Sequence, residues 1–139
     1  MSEQQQQAGE NTPFITPDFS EVADQVGEGK YNVRITGHKL EERSEKETNR
    51  KIPVLVWTFE TYGEEESKNN GRKIFLRTDV IGKGAFRLKN LFKAAMNEEI
   101  GGQFDPTMLY GREMEIVYGP QKNNPEYSEV KSMKPLQTN

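Results

Sequence analysis

The hydrophobic pattern of the chain changes its period twice, and this change limits the folds open to it. Over 84–99, apolar residues recur at the spacing of one helix face, with Leu88, Leu91, Phe92 and Ala95 in line. Before and after this segment, apolar and polar residues alternate, which is typical of half-buried β-strands. The predicted strands span 30–40, 51–62, 72–80, 112–119 and 127–134.

The connections between these elements favour one arrangement. Asn70-Gly71 is a strong hairpin signal between the second and third strands, so the first three strands are predicted to form a meander. A charged loop over 41–50 would join the first two strands, and the glycines of 100–102 would end the helix. One helix between strands three and four of a five-stranded antiparallel barrel is the OB-fold plan. We therefore predict a mainly β, OB-fold-like domain, although other small α+β sheets share this element order.

The charge of the chain is divided between two regions. Residues 1–28 contain six acidic residues and neither Lys nor Arg, whereas residues 29–139 contain 19 basic and 16 acidic residues. The Gln-rich start cannot bury enough apolar surface to offset its chain entropy. The sequence predicts a flexible acidic N-terminal arm over 1–28, an OB-like domain over 29–135 and a short polar tail over 136–139. Phe14, Ile15 and Phe19 leave open a second interpretation, in which part of the arm docks on the domain.

Composition excludes several classes of protein. The chain has no cysteine, which excludes disulfides and thiolate metal sites. No apolar run approaches the roughly 18 residues that a membrane helix needs, and the N-terminus does not have the pattern of a signal peptide. The expectation is a cytoplasmic protein without membrane contact.

Catalytic patterns do not occur in the sequence. The single histidine, His38, alternates with Arg34 and Thr36 on the side of the first strand that is predicted to be polar. There is no nucleophile elbow, P-loop or dinucleotide fingerprint, and the run Glu64–Glu66 is typical of a solvated turn. We expect a protein that is not an enzyme and that uses no cofactor or metal.

The third strand suggests a nucleic-acid interface instead. Its solvent face would carry Lys73, Phe75 and Arg77, a basic–aromatic–basic pattern. Proteins that bind single strands combine a basic groove with aromatic side chains on which bases stack, and OB-folds bind ligands across strands two and three and the adjacent loops. The further candidates are Arg34 on the first strand, Arg43, Lys46, Arg50 and Lys51 in the first loop, Trp57 on the second strand, and Tyr118, Lys122 and Tyr127 around the last loop.

Less specific interpretations apply to some of these residues. Exposed Lys and Arg are ordinary on a strand, and Phe75 could pack under a loop. Trp57 has apolar neighbours on both sides in sequence, so it is either a core residue or a stacking platform. The acids at 41–47 would repel DNA unless they point away from it.

Several short motifs, taken in order, resemble those of a known group. The group consists of small bacteriophage proteins that are encoded near replication and recombination genes and thought to be OB-fold single-stranded-DNA-binding proteins. The similarity covers roughly 14–135, but the chain ends in KPLQTN, without the acidic tip through which bacterial single-strand-binding proteins recruit partners. The motifs are VGEGKYNVRI (26–35), GRKIF (71–75), RLKNLFKAAM (87–96), LYGREMEIVYG (109–119) and NNPEYSEVKSMKP (123–135).

The resemblance implies a sequence-nonspecific single-stranded-DNA-binding protein that acts in phage replication, recombination or repair in the host cell cytoplasm. RNA would use the same face, and the sequence does not separate the two ligands. The alternative is a protein-interaction module that binds a phage or host replication or recombination enzyme. Oligomeric state is left open by the sequence.

Overall fold

The computed structural model describes residues 14–19, 26–63, 70–98 and 101–136. Most of the predicted N-terminal arm, nearly all of the C-terminal tail and the run Glu64–Glu66 lie outside these residues. A 3-10 turn, Lys83–Ala85, leads into the helix, and a second, Pro106–Leu109, precedes the fourth strand. The main elements are β1 (Gly29–Ser44), β2 (Lys51–Tyr62), β3 (Lys73–Asp79), α1 (Phe86–Met96), β4 (Glu113–Pro120) and β5 (Ser128–Pro135).

The strands form one antiparallel sheet in the order β3-β2-β1-β4-β5. This confirms the predicted mainly β fold with five strands and one helix between the third and fourth. The order is that of an OB-like barrel opened between β3 and β5. Within the described ranges no strand ladder closes that gap, so β3 and β5 are the two edge strands. The helix α1 contacts both of them.

The hairpin of β1 and β2 is longer than predicted. Residues 41–44 were expected in a loop, but Glu41 pairs with Val54 and Ser44 pairs with Lys51. The expectation was wrong because charged residues were taken to indicate a loop. The charged side chains of this part of β1 lie opposite the apolar residues Ile52, Pro53 and Val54 of β2. Glu41 and Arg43 form ion pairs with Arg77 and Asp79 of β3.

A β-bulge in β1 exchanges the two faces of the strand. The register shifts between Ile35 and Gly37, so one extra residue is accommodated and the alternation of side chains changes phase. After the bulge, His38 pairs with Trp57 and lies on the core side of the sheet, whereas Lys39 joins the side that carries Arg34. The prediction that His38 shares a face with Arg34 was therefore wrong.

The core lies between one side of the sheet and α1. The predicted helix face is largely confirmed: Leu88, Leu91 and Phe92 are buried, and Ala95 packs against the core. Trp57 is fully buried, and its indole Nε1–H donates a 3.0 Å hydrogen bond to Thr78 Oγ1. A buried indole with a satisfied N–H is a strong packing element.

The helix is shorter than its sequence pattern. It ends at Met96 because Asn97 adopts the left-handed conformation, with φ 59°, and its N–H donates to the carbonyl of Lys93. Asn is the residue other than glycine that most readily adopts this conformation. The prediction that the glycines of 100–102 end the helix was therefore wrong.

Candidate nucleic-acid interface

The side of the sheet that faces away from the core carries five of the predicted site residues, Arg34, Arg43, Lys73, Phe75 and Arg77. We call the part of it that β1, β2 and β3 share the outer face. Its side chains form cross-strand rows about 7 Å apart along the strands, with strands about 4.8 Å apart. The rows are Arg34–Glu60–Lys73, Gly37–Thr58–Phe75, Lys39–Val56–Arg77, Glu41–Val54–Asp79 and Arg43–Ile52.

Phe75 lies in the second row, opposite Thr58 of β2. The face assignment of β3 is confirmed: Ile74, Leu76 and Thr78 are buried, while Lys73 and Arg77 are exposed. Phe75 itself is partly buried. The ring is therefore only partly accessible to solvent, and the rows on either side of it each contain two basic residues.

Arg77 shares a carboxylate with Lys39. Its Nη1 lies 2.6 Å from Glu41 Oε1, and Lys39 Nζ lies 2.9 Å from Glu41 Oε2. Hydrogen bonds from Lys39 and Arg77 hold the pKa of Glu41 below its usual range. One acid between two cations leaves this cluster with a positive charge.

Arg43 is held at two points by Asp79. Its Nε donates to Oδ1 at 3.0 Å and its Nη2 to Oδ2 at 2.6 Å. These hydrogen bonds lower the pKa of the Asp79 carboxyl. Parallel donation by a guanidinium to a carboxylate fixes both its position and its plane.

Arg34 lies at the boundary between β1 and β4. Its Nε and Nη2 donate to Glu113 Oε2 at 3.2 and 2.8 Å, and its guanidinium carbon lies 4.6 Å from the centre of the Tyr62 ring. Burial raises the pKa of Tyr62, as does its hydrogen bond to Glu113. A stacked, ion-paired guanidinium has little freedom to move.

In each of these pairs the cation is the more exposed partner. The side chain of Arg77 is 64% exposed against 30% for Glu41, and that of Arg43 is 49% exposed against 15% for Asp79. For Arg34 and Glu113 the difference is smaller, 42% against 35%. The guanidinium groups of Arg77 and Arg43 are therefore more accessible to a ligand than their carboxylate partners, whereas Arg34 and Glu113 are almost equally accessible.

The total charge of the outer face is modest. Its rows contain five basic residues and three acidic ones, and Glu113 adds a fourth acid from β4. Sequence reasoning missed Lys39, Glu41 and Tyr62 as members of this surface. The first two were missed because the bulge was not predicted, and Tyr62 could have been found from its hairpin register opposite Asn32, two residues from Arg34.

Two predicted stacking residues belong to the core. Of the two interpretations of Trp57, the core one is confirmed by its complete burial. Tyr118 is also buried, and burial raises the pKa of its hydroxyl. The prediction that these two rings contact bases is wrong, because both side chains are buried in the core between the sheet and α1, where no base can reach them.

The loop candidates are separate from the central rows. Lys51 donates to Ser44 Oγ at 2.9 Å at the end of the β1–β2 hairpin, and Arg50 lies 3.5 Å from Glu45. Lys122 and Tyr127 are exposed on the turn between β4 and β5, which is closed by a 2.7 Å hydrogen bond from Gln121 N–H to the Tyr127 carbonyl. In strand order this turn lies at the end opposite β3.

Two further features were sought in the described ranges. His, Asp and Glu side chains do not gather there in groups of three that could hold a metal ion. None of the helices in that part of the chain has the length and apolar character required to cross a membrane.

Comparison with known proteins adds no identification. No model of a known protein family matches the chain, and no curated protein matches it significantly. The resemblance to the phage group therefore stays a prediction.

Proposed function

We propose that this protein binds single-stranded DNA, without strong sequence preference, across the outer face of β1, β2 and β3. The observation that carries the proposal is the arrangement of its arginines: Arg34, Arg43 and Arg77 are each paired with a carboxylate and remain partly exposed. Arg34 and Arg77 lie in the rows on either side of Phe75, and Arg43 lies three rows further along the face. This arrangement suits a ligand that carries both negative charge and flat rings.

The ion pairs are compatible with phosphate binding. A guanidinium has five N–H donors, and a two-point carboxylate contact uses two of them. The remaining donors of Arg43 stay available, and Asp79 prevents the side chain from losing its position before a phosphate arrives. Exposed ion pairs are worth only about 0–1 kcal/mol, so exchanging some contacts for phosphate contacts costs little.

The proposed contacts carry little sequence information. Phosphate contacts position a strand, and stacking on a ring such as Phe75 accepts any base. This is the behaviour expected of a protein that covers exposed strands during replication, recombination or repair. The order of the short motifs supports a phage protein of this kind, working in the host cell cytoplasm.

The test is a titration of labelled oligo-dT, duplex DNA and RNA of equal length at low and high salt. We expect oligo-dT to bind more tightly than duplex DNA, with affinity that falls as salt rises. Equal or tighter binding of RNA would assign the face to RNA. The absence of binding at low salt, or a preference for duplex, would contradict the proposal.

The second candidate is a protein-interaction module for a replication or recombination enzyme. The observation that favours it is the near balance of charge on the outer face, where Glu41, Asp79 and Glu113 offset most of the basic residues. A module of this kind would show no salt-dependent affinity for any of the three nucleic acids.

A further inference from the structure

An open apolar groove lies beside α1, and none of the residues of the outer face line it. Its volume is about 1110 Å³. Phe104 on one wall makes an edge-to-face contact with Phe92, with ring centres 5.6 Å apart, so the groove is continuous with the core. Phe86 on the helix side is 60% exposed. The lining residues are Val80, Ala85, Phe86, Leu88, Lys89, Gly102, Gln103, Phe104 and Asp105.

The N-terminal segment 14–19 presents three exposed apolar side chains. Phe14 is fully exposed, and Ile15 and Phe19 are 83% and 70% exposed. The segment is free of helix and strand, and Pro17 keeps the preceding residue extended. Three large apolar side chains within six residues form an exposed patch of the kind that marks a contact site.

The charges of the two surfaces are complementary. Residues 1–28 carry six acids and neither Lys nor Arg, whereas residues 83–96 carry four basic residues and neither Asp nor Glu. Lys89, one of the four, lines the groove itself, and so does one acid, Asp105. The complementarity therefore lies between the acidic N-terminal region as a whole, which includes Asp18 of the segment, and the basic residues that surround the groove.

From these observations we infer that the groove beside α1 binds residues 14–19 of a second copy of the chain. In one chain the apolar side chains of the segment are exposed and the groove is open. The seven residues from Phe19 to Val26 span at most about 25 Å, which restricts how far the segment can reach from its own domain. A second copy supplies the same segment without that restriction. The contact is heterologous, so it closes into a ring or pair or continues along a row of copies. It does not depend on nucleic-acid binding.

The test uses the full chain, which contains no cysteine. A nitroxide is attached to the single cysteine of an Asn11→Cys variant. This spin-labelled protein, at natural isotope abundance, is mixed with ¹⁵N-labelled wild-type protein. We expect paramagnetic broadening of the amides of α1 and of residues 102–105 in the labelled copy. Replacing Phe14, Ile15 and Phe19 by Ser in the spin-labelled copy should abolish it, while replacing three of the glutamines at 4–7 by Ser should not.

Sedimentation measures the same contact without a label. The triple Ser variant should raise the dissociation constant for self-association by about tenfold or more, since burying even one such side chain is worth about that much. Phe86→Ser in the groove should act likewise, and Lys89→Glu keeps the test valid if Phe86→Ser does not fold. Two outcomes would overturn the inference. One is broadening that occurs only when the spin label and the ¹⁵N label are on the same molecule. The other is wild-type protein that stays monomeric and shows no intermolecular broadening at millimolar concentration.

Discussion

Asp79 at the end of β3 binds Arg43 near the end of β1 through two hydrogen bonds of 3.0 and 2.6 Å, across the intervening strand β2. The pair joins residues 36 positions apart in sequence and connects the two outer strands of the meander. It places a guanidinium on the outer face in one fixed orientation. Its contribution to stability and its role in ligand binding can be separated by experiment.

Asp79→Asn should make stability less dependent on acid. Hydrogen bonds from Arg43 lower the pKa of Asp79 in the folded state. Such a group stabilises the fold above its unfolded pKa of about 3.9, and the contribution is lost as pH falls through the lower folded pKa. The variant should be less stable than wild type at pH 7, by up to about 1 kcal/mol, and the difference should vanish in strong acid.

Urea unfolding at a series of pH values measures this difference. Glu126→Gln, on the exposed turn between β4 and β5, is the matched control and should leave the profile unchanged. A difference that persists in strong acid would show that Asp79 acts through packing rather than through its charge.

Trp57→Phe should destabilise the fold without weakening DNA binding. The substitution removes the 3.0 Å hydrogen bond to Thr78 and leaves unfilled space in the core. The free energy of unfolding should fall by about 1–3 kcal/mol, measured by circular dichroism in urea. Affinity for oligo-dT per folded molecule should not change, because the indole is not accessible. Weaker binding by a fully folded variant would restore Trp57 to the interface.

Phe75→Ala should have the opposite effects. If a base stacks on this ring, affinity for oligo-dT should fall by about 1–3 kcal/mol, with little change in the melting temperature. Met108→Ala is the control, because Met108 is a partly exposed apolar residue in the turn before β4, away from the rows of the outer face. A variant that melts early but binds normally once folded would place Phe75 among the packing residues.

The sequence predicts those features that depend on neighbouring residues along the chain. Alternation on β3 correctly separates Ile74 and Leu76 from Phe75 and Arg77, and the Asn-Gly signal correctly joins β2 to β3. The spacing of Leu88, Leu91 and Phe92 correctly identifies the buried side of α1. The strand and helix predictions rest on periods that local geometry imposes, and the turn prediction rests on the backbone conformation that Asn-Gly favours.

The features that depend on the assembled sheet were not predictable in this way. The bulge between Ile35 and Gly37 has one local signal, an isolated glycine inside a strand pattern, which was not used in the prediction. The bulge decides that Lys39 and Glu41, rather than His38, share a face with Arg34. The pairing of Arg43 with Asp79 requires the strand order, in which β2 separates β1 from β3. Whether a basic residue is free or held by a carboxylate therefore became apparent only from the structure.

The salt dependence of binding tests the outer face most directly. Each phosphate contact on a single strand contributes about −0.7 to the slope of log affinity against log salt concentration. Lys73 and Arg77 flank Phe75 on β3, so replacing both by Gln should flatten the slope by about 1.4 if both contact phosphate. Removing Arg77 does not leave Glu41 without a cation, because Lys39 binds its other oxygen at 2.9 Å. The fold should therefore survive the change.

The matched control replaces Lys83 and Lys93 by Gln, which removes the same charge from the region of α1. Oligonucleotides short enough to bind a single copy exclude any contribution from contacts between copies. We expect the slope of the control variant to equal that of wild type, because the rows of the outer face do not include α1. If the control flattens the slope and the β3 variant does not, the nucleic acid binds along the basic side of the helix. The ion-paired arginines of the outer face then serve stability alone.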